Sequence, residues 1–202
     1  MAVPGTVRKI SEAEYLALER AAEFKSEFYD GEMFAMAGGS PMHSLIATNV
    51  AGELRAKLKG GPCKAFTSDL HLRVEATRLL TYADVAVICG PVQIAPGTDH
   101  VVTNPTVIFE VLSGSTEAYD RGEKFRHCQQ IPSLQEYILV SQHLPRIEQF
   151  LRQRESEWVL RTVEGEDARL ELPSLKVVLD LREVFLGVEF KPSSIRPQTK
   201  PL

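Results

Sequence analysis

This chain has little of what marks a secreted, membrane-spanning or fibrous protein. Its 202 residues include three cysteines, Cys63, Cys89 and Cys128, an odd number with no C-x-x-C pair. That usage argues against a disulfide framework and a structural zinc site and fits a reducing compartment. No run of about 18 apolar residues is present, so no membrane span is expected. The opening MAVPGTVRKISEAEY has no apolar stretch of the signal-peptide kind, and a cytoplasmic location is expected. There is no basic excess: 23 Lys and Arg stand against 27 Asp and Glu, a net charge of −4. That argues against a protein that coats nucleic acid by bulk charge, but not against an enzyme that meets it through one local patch. Repeats and low-complexity tracts are absent too.

What is present reads as one globular domain over residues 1–188. Hydrophobic residues make up 44% and charged residues 25%, ordinary for a packed chain. Ser11 with Glu14 forms a capping box that opens a short N-terminal helix over 11–22. Asp30-Gly31 between β-favouring residues marks a tight turn. Leu45, Ile46, Val50, Leu54 and Leu58 recur at helical spacing, and Gly60-Gly61-Pro62 ends that helix. Apolar runs then follow as strands: KAFTSDLHLRVE, TYADVAVIC, PTVIFEVLS and EYILVSQ. A helix is expected over 116–131, weakened by Gly122 and stopped by Pro132. RIEQFLRQ and EWVLRTVEG form an antiparallel pair around the turn RESE. Residues 189–202 are polar and proline-rich and read as a disordered tail. The sum is a mixed α/β or α+β protein, a central sheet with helices on its faces.

Several standard catalytic motifs are missing. There is no G-x-S-x-G elbow, no P-loop and no H-E-x-x-H, and the five histidines show no ligand spacing. The signal lies in acids placed inside apolar strands. Asp84 sits in YADVAVIC and Glu110 in VIFEVLS, 26 residues apart. Charged residues are seldom buried without a partner, and a lone buried carboxylate is costly to keep ionised. Two at neighbouring strand ends suit Mg²⁺ or Mn²⁺, which prefer oxygen ligands; capping a strand end or pairing with arginine is the alternative. Lys124, on the helix leaving the Glu110 strand, is placed to aim back at that strand end, or else to be solvated beside Glu123. A lysine there is expected to contribute charge rather than packing.

Five segments in order, YDGEMFAMAGGSPMH, FTSDLHLRV, TYADVAVICG, PTVIFEVLSGSTEAYDRGEKF and IPSLQEYILVSQ, closely resemble the bacterial Uma family of restriction-endonuclease-like proteins. That family belongs to the PD-(D/E)xK nuclease superfamily. The similarity runs from about residue 8 to residue 187. It implies a restriction-endonuclease-like core, a central mixed sheet flanked by helices, with an N-terminal helix and extra antiparallel strands. It also implies a divalent-metal phosphodiesterase site. Asp84 matches the aspartate of the PD motif and Glu110 the next acid, and a metal would be held by these two and the Val111 carbonyl. Leu112 stands where the superfamily lysine usually follows, and the basic role matches Lys124 on the next helix. Glu32 resembles an accessory acid; Asp69 and His43 match further family positions. Ala83 replaces the motif proline, and Gly114 replaces a proline common in the strand-to-helix turn.

The resemblance therefore implies a Mg²⁺- or Mn²⁺-dependent DNA endonuclease, with a homodimer plausible because cutting both strands takes two sites. Two other functions fit the same residues: a non-catalytic nuclease-fold binding or assembly protein, and a hydrolase of another phosphodiester. Lys57, Lys59, Lys64, Arg121 and Arg126 are candidates for phosphate contacts, each also readable as an ordinary solvated residue.

Overall fold

The computed structural model describes residues 8–36 and 38–190. Helix α1 (Glu12–Ala21) opens with the expected capping box: the Ser11 hydroxyl accepts from the Glu14 N–H while the Glu14 carboxylate accepts from the Ser11 N–H. Strands β1 (Ser26–Tyr29) and β2 (Glu32–Ala35) form the hairpin around Asp30-Gly31. Both turn residues have positive φ, 47° and 86°, as a two-residue turn between right-twisted strands demands. Helix α2 (Pro41–Lys57) starts at the Ser40 cap and buries Ile46, Val50 and Leu54, the stripe its periodicity marks.

The expected strand runs divide more finely than the hydrophobic pattern suggests. KAFTSDLHLRVE becomes β3 (Cys63–Thr67) and β4 (His71–Val74), in different sheets. The run through TYADVAVIC likewise splits into β5 (Leu79–Tyr82) and β6 (Val85–Cys89), and Ala83-Asp84 is the crossing between sheets. Strands β7 (Val107–Val111), β8 (Glu136–Val140), β9 (Arg146–Arg154) and β10 (Glu157–Glu164) complete a six-stranded sheet in the order β10-β9-β8-β7-β6-β3. Its β7–β8 pair is parallel and the others are antiparallel, so the central sheet is mixed. A four-stranded sheet runs β2-β1-β5-β4, and β11 (Arg169–Leu172) pairs with β12 (Val177–Asp180) before α5 (Leu181–Val184).

Alternation along the central strands sorts the core into two faces. Val85, Val87, Val107, Phe109, Val111, Ile138 and Val140 pack with α2, α5 and the β11–β12 pair. Ala86, Ile108, Leu112, Tyr137 and Leu139 face the other way, onto β4, β5 and the helical segment after β7. That segment is not the continuous helix expected over 116–131. It is a short α3 (Glu117–Tyr119), a π turn (Asp120–Lys124) and a short α4 (Phe125–Cys128). Gly122 lies in the wide turn, a distortion frequent at functional sites.

Two expectations need correction. Cys63 and Cys89 face each other across β3 and β6 and form a disulfide with Cα atoms 3.9 Å apart. The Gly90 N–H bonds the Pro62 carbonyl one step away, so the cysteines occupy the non-hydrogen-bonded, closer-spaced kind of pair. Spacing in sequence carries no sign of this, because strand pairing alone brings them together. Packing also continues past residue 188: Phe190 lies against Phe185 with ring centroids 5.3 Å apart. The remainder of the expected tail, 191–202, lies outside the described residues. Among the described residues no helix is long and apolar enough to cross a membrane.

Candidate active site

The register of β6 against β7 positions the two strand acids. Val85 pairs with Phe109 and Ala86 with Ile108, so one further step sets Asp84 opposite Glu110. Glu110 shares the parity of Ile108, so its side chain belongs to the face toward the smaller sheet, while Asp84, just before β6, reaches along the strand end to β7 and α2. Asp84 Oδ2 accepts the Val111 N–H at 2.7 Å. In an extended strand the carbonyl of a residue points to the same side as its N–H, so the Val111 carbonyl shares that edge.

Lys124 comes from the π turn and is buried, 4% exposed. Its Nζ lies 2.9 Å from Glu110 Oε1, 3.5 Å from Glu27 Oε1 and 3.9 Å from Asp120 Oδ1. It also donates to the Tyr82 carbonyl at 2.9 Å, which ties it to the end of β5 just before the crossing. The lysine reaches the Glu110 strand end as expected, but as an interior group rather than a solvated one.

Burial pushes the Glu110 carboxyl well above the usual carboxylate range; Asp120 and Asp84 push it the same way, against Lys124. Burial would lower the Lys124 ammonium, but Glu110, Glu27 and Asp120 outweigh it and hold it well above its ordinary value. Asp120 is raised as well, chiefly by burial.

His43 stands at the mouth of this cluster. It sits on the first turn of α2, and its Nε2 lies 3.0 Å from Asp84 Oδ2, with both side chains under a fifth exposed. The bond to Asp84 raises its pKa, against the opposing effect of burial. Gly39 makes room for the ring: a Cβ there would come within 2.6 Å of His43 Nδ1. His71, by contrast, is a packing residue, stacked on Tyr82 at 4.4 Å and pushed by burial down to about 4.

Two expected accessory acids lie elsewhere. Glu32 is on the outer strand β2, paired in register with Tyr29, and no hydrogen bond or ion pair among the described residues joins it to Asp84, Glu110 or Lys124. Glu27 occupies the cluster in its place, because β1 is the inner strand of the hairpin and lies beside β5, where the Thr81 hydroxyl donates to Glu27. Asp69 is exposed and pairs with Lys25 at 2.5 Å. Glu27, preceded by Lys25 and Ser26, carries no such signal in the sequence; only the pairing of β1 with β5 turns it inward. Asp120 is four residues before Lys124, a spacing that puts both on one side of a helical segment.

Glu136 shows that burial alone does not make a site. It is fully buried, yet it accepts bonds from Gln149 Nε2 at 2.6 Å, Ser174 N at 2.9 Å and Ser174 Oγ at 2.6 Å. Glu110 Oε1 has only the off-line contact with Lys124 and no aligned hydrogen bond. A carboxylate oxygen with no aligned hydrogen bond, beside a second carboxylate, suits a hard cation in donor chemistry, with the Lys124 ammonium 2.9 Å away balancing its charge here. Among the described residues, no three His, Cys, Asp or Glu side chains stand grouped to hold an ion. The acids are instead turned to Lys124, to His43 and to the Val111 N–H.

The comparisons with known proteins give the family and the fold. The Uma2 family, described as "Putative restriction endonuclease", matches residues 12–182, and the chain belongs to it. Two relatives come from Synechocystis sp. Uncharacterized protein slr1290 is 36% identical over 182 residues, 90% of this chain and 94% of that one. Uncharacterized protein sll1609 is 34% identical over 177 residues, 88% of this chain and all of that one. A crystal structure from Anabaena variabilis, titled a putative nuclease belonging to DUF820, has the same fold with a TM-score of 0.71. It is 18% identical and covers 87% of this chain and 97% of its own.

Proposed function

We propose that the protein is a divalent-metal-dependent endonuclease that hydrolyses phosphodiester bonds in DNA. The observation that carries this reading is the convergence of Asp84 and Glu110, opposed on the two central strands, with Lys124 2.9 Å from the second acid. Asp84, Glu110 and the Val111 carbonyl would hold Mg²⁺ or Mn²⁺ through oxygen. Bound there, the cation supplies charge to the phosphate and lowers the pKa of a water.

The chain's own groups do the rest. Lys124 balances the carboxylates and fixes the Glu110 side chain from beneath. Glu27, bonded by Thr81, and Asp120 hold Lys124 in place. His43, at the accessible edge and favoured in its charged form by Asp84, is placed to contact the phosphate or give a proton to the leaving oxygen.

One observation favours the second reading, a nuclease-fold protein that binds without cutting. Lys124 is 4% exposed and already engaged with Glu110 and the Tyr82 carbonyl, so it has little freedom to meet a substrate. Incubation with plasmid, linear and single-stranded DNA in Mg²⁺ or Mn²⁺ separates the two. Nicking by the wild type that is lost in Asp84→Asn and Glu110→Gln supports the enzyme. Binding without cleavage in either metal supports the alternative. A dimer is part of the proposal for double-strand cutting, and sedimentation of the active protein reads it directly.

A further inference from the structure

The central sheet ends on an unguarded strand. β10 is eight residues long, EWVLRTVE, and stands at one edge of the sheet beside β9. Among the described residues, no backbone group outside β9 bonds to it. The other sheet edges, β2, β3 and β4, run only four or five residues. Proteins commonly blunt a long edge with proline, lysine or a bulge in the edge strand. β10 has none of these: its pairing with β9 skips a β9 residue between Glu157 and Trp158 and leaves β10 continuous. Val159 and Leu160, on its two faces, are 39% and 52% exposed.

The residues of this strand complement a second copy of themselves. In an antiparallel pair, facing residues turn their N–H and C=O groups both toward the partner or both away. A strand that pairs with its own copy about a two-fold axis therefore sets each residue against one of the same parity. Arg161 can then face an acid of β10 in one way, opposite Glu157, because Glu164 has the other parity. Glu157 also lies 3.7 Å from Arg154, an exposed pair that leaves it open to a second cation.

That register puts Val159 opposite itself on the axis. One face reads Glu157, Val159, Arg161 against Arg161, Val159, Glu157, with an ion pair at each end. The other face sets Trp158 against Leu160 twice. Opposite charges and aromatic–aliphatic pairs directly across a ladder both favour association.

We propose that two copies of this chain join edge to edge through β10, antiparallel, with Val159 at the two-fold axis. The two six-stranded sheets then become one. Strands β8 and β9 lie between this edge and β7, so the joint falls away from the strand pair that carries Asp84 and Glu110. This gives the dimer proposed above its surface and holds whether or not the protein cuts DNA. An edge joint covers less than a standard interface, so the dimer depends on concentration.

Sedimentation velocity over a concentration series, without DNA or metal, tests this. The wild type should pass from monomer to dimer as concentration rises. Arg161→Glu sets an acid against Glu157 at both ends of the joint and should raise the dissociation constant about tenfold or more, as should Glu157→Arg. Glu157→Arg/Arg161→Glu exchanges the charges and should restore association. Both positions are exposed, so the variants should fold, which circular dichroism checks. A monomer at every concentration overturns the proposal and leaves the edge to a strand of another protein. A dimer unchanged in both single variants, or not restored in the double variant, overturns it as well. Cleavage plays no part in the readout, so failure here and failure of the phosphodiesterase reading remain separate results.

Discussion

Lys124→Met removes one buried charge while keeping most of the side-chain stem, and its consequence can be worked from the distances. At an effective dielectric near 20, the 2.9 Å contact with Glu110 alone corresponds to an attraction of about 6 kcal/mol. Desolvation of the two groups offsets much of it, which is why breaking a buried pair from one side typically costs about 3–5 kcal/mol. The orphaned carboxyl can escape part of that penalty by taking a proton.

Glu110 already sits above its ordinary value of 4.5, and loss of Lys124 raises it further. A carboxyl with a raised folded pKa contributes stability that is full below its ordinary value of 4.5 and is lost as pH rises through the raised one. The penalty of Lys124→Met should therefore be smaller at an acid pH than at an alkaline one, where it approaches about 3–5 kcal/mol, read by urea denaturation. Lys124→Met/Glu110→Gln, which removes both charges, should recover at least half of it. A loss under about 1 kcal/mol at both pH values, with no recovery in the double variant, would refute the picture of Lys124 as a buried counter-ion.

Other outcomes follow from the same geometry. Reducing the Cys63–Cys89 bridge, or Cys63→Ser with Cys89→Ser, should lower stability by up to about 3–4 kcal/mol; an unchanged melt in dithiothreitol would mean the bridge does not form in solution. His43 has a raised pKa beside Asp84, so its contribution is complete below its ordinary value of 6.5 and fades as pH climbs through the raised one. His43→Gln should flatten that part of the stability–pH curve, and a curve parallel to the wild type would remove the His43–Asp84 pair as its cause. Gly39→Ala, whose methyl would press on His43 Nδ1, should shift the His43 imidazole resonances while leaving the melting midpoint within a few degrees. Unmoved resonances would show that the ring does not depend on Gly39.

Local chemistry was legible in the sequence where one residue type settles the geometry. The Ser11–Glu14 capping box, the Asp30-Gly31 turn and the stripe of α2 are local, and each stands where its pattern puts it. Asp84 and Glu110 were visible because an acid inside an apolar run needs a partner. Relations across strands were not legible. Which acid of the β1–β2 hairpin faces inward depends on β1 pairing with β5, so Glu32 stood out by its YDGE context while Glu27 sits in the cluster. The Cys63–Cys89 bridge is hidden for the same reason. For Lys124 the sequence left two readings, aimed at the Glu110 strand end or solvated beside Glu123, because the π turn, which shifts the facing of residues after it, has no sequence signature beyond Gly122. The break between β5 and β6 is equally silent, since both halves are apolar and only the sheet crossing at Ala83-Asp84 separates them.

The central claim is that Asp84 and Glu110 together hold one divalent cation. Calorimetric titration of the metal-free protein with Mn²⁺ tests it without substrate or turnover. A single site is expected in the wild type that disappears in Asp84→Asn and again in Glu110→Gln, with both variants still folded by circular dichroism. Equal Mn²⁺ binding by the wild type and both folded variants would contradict it.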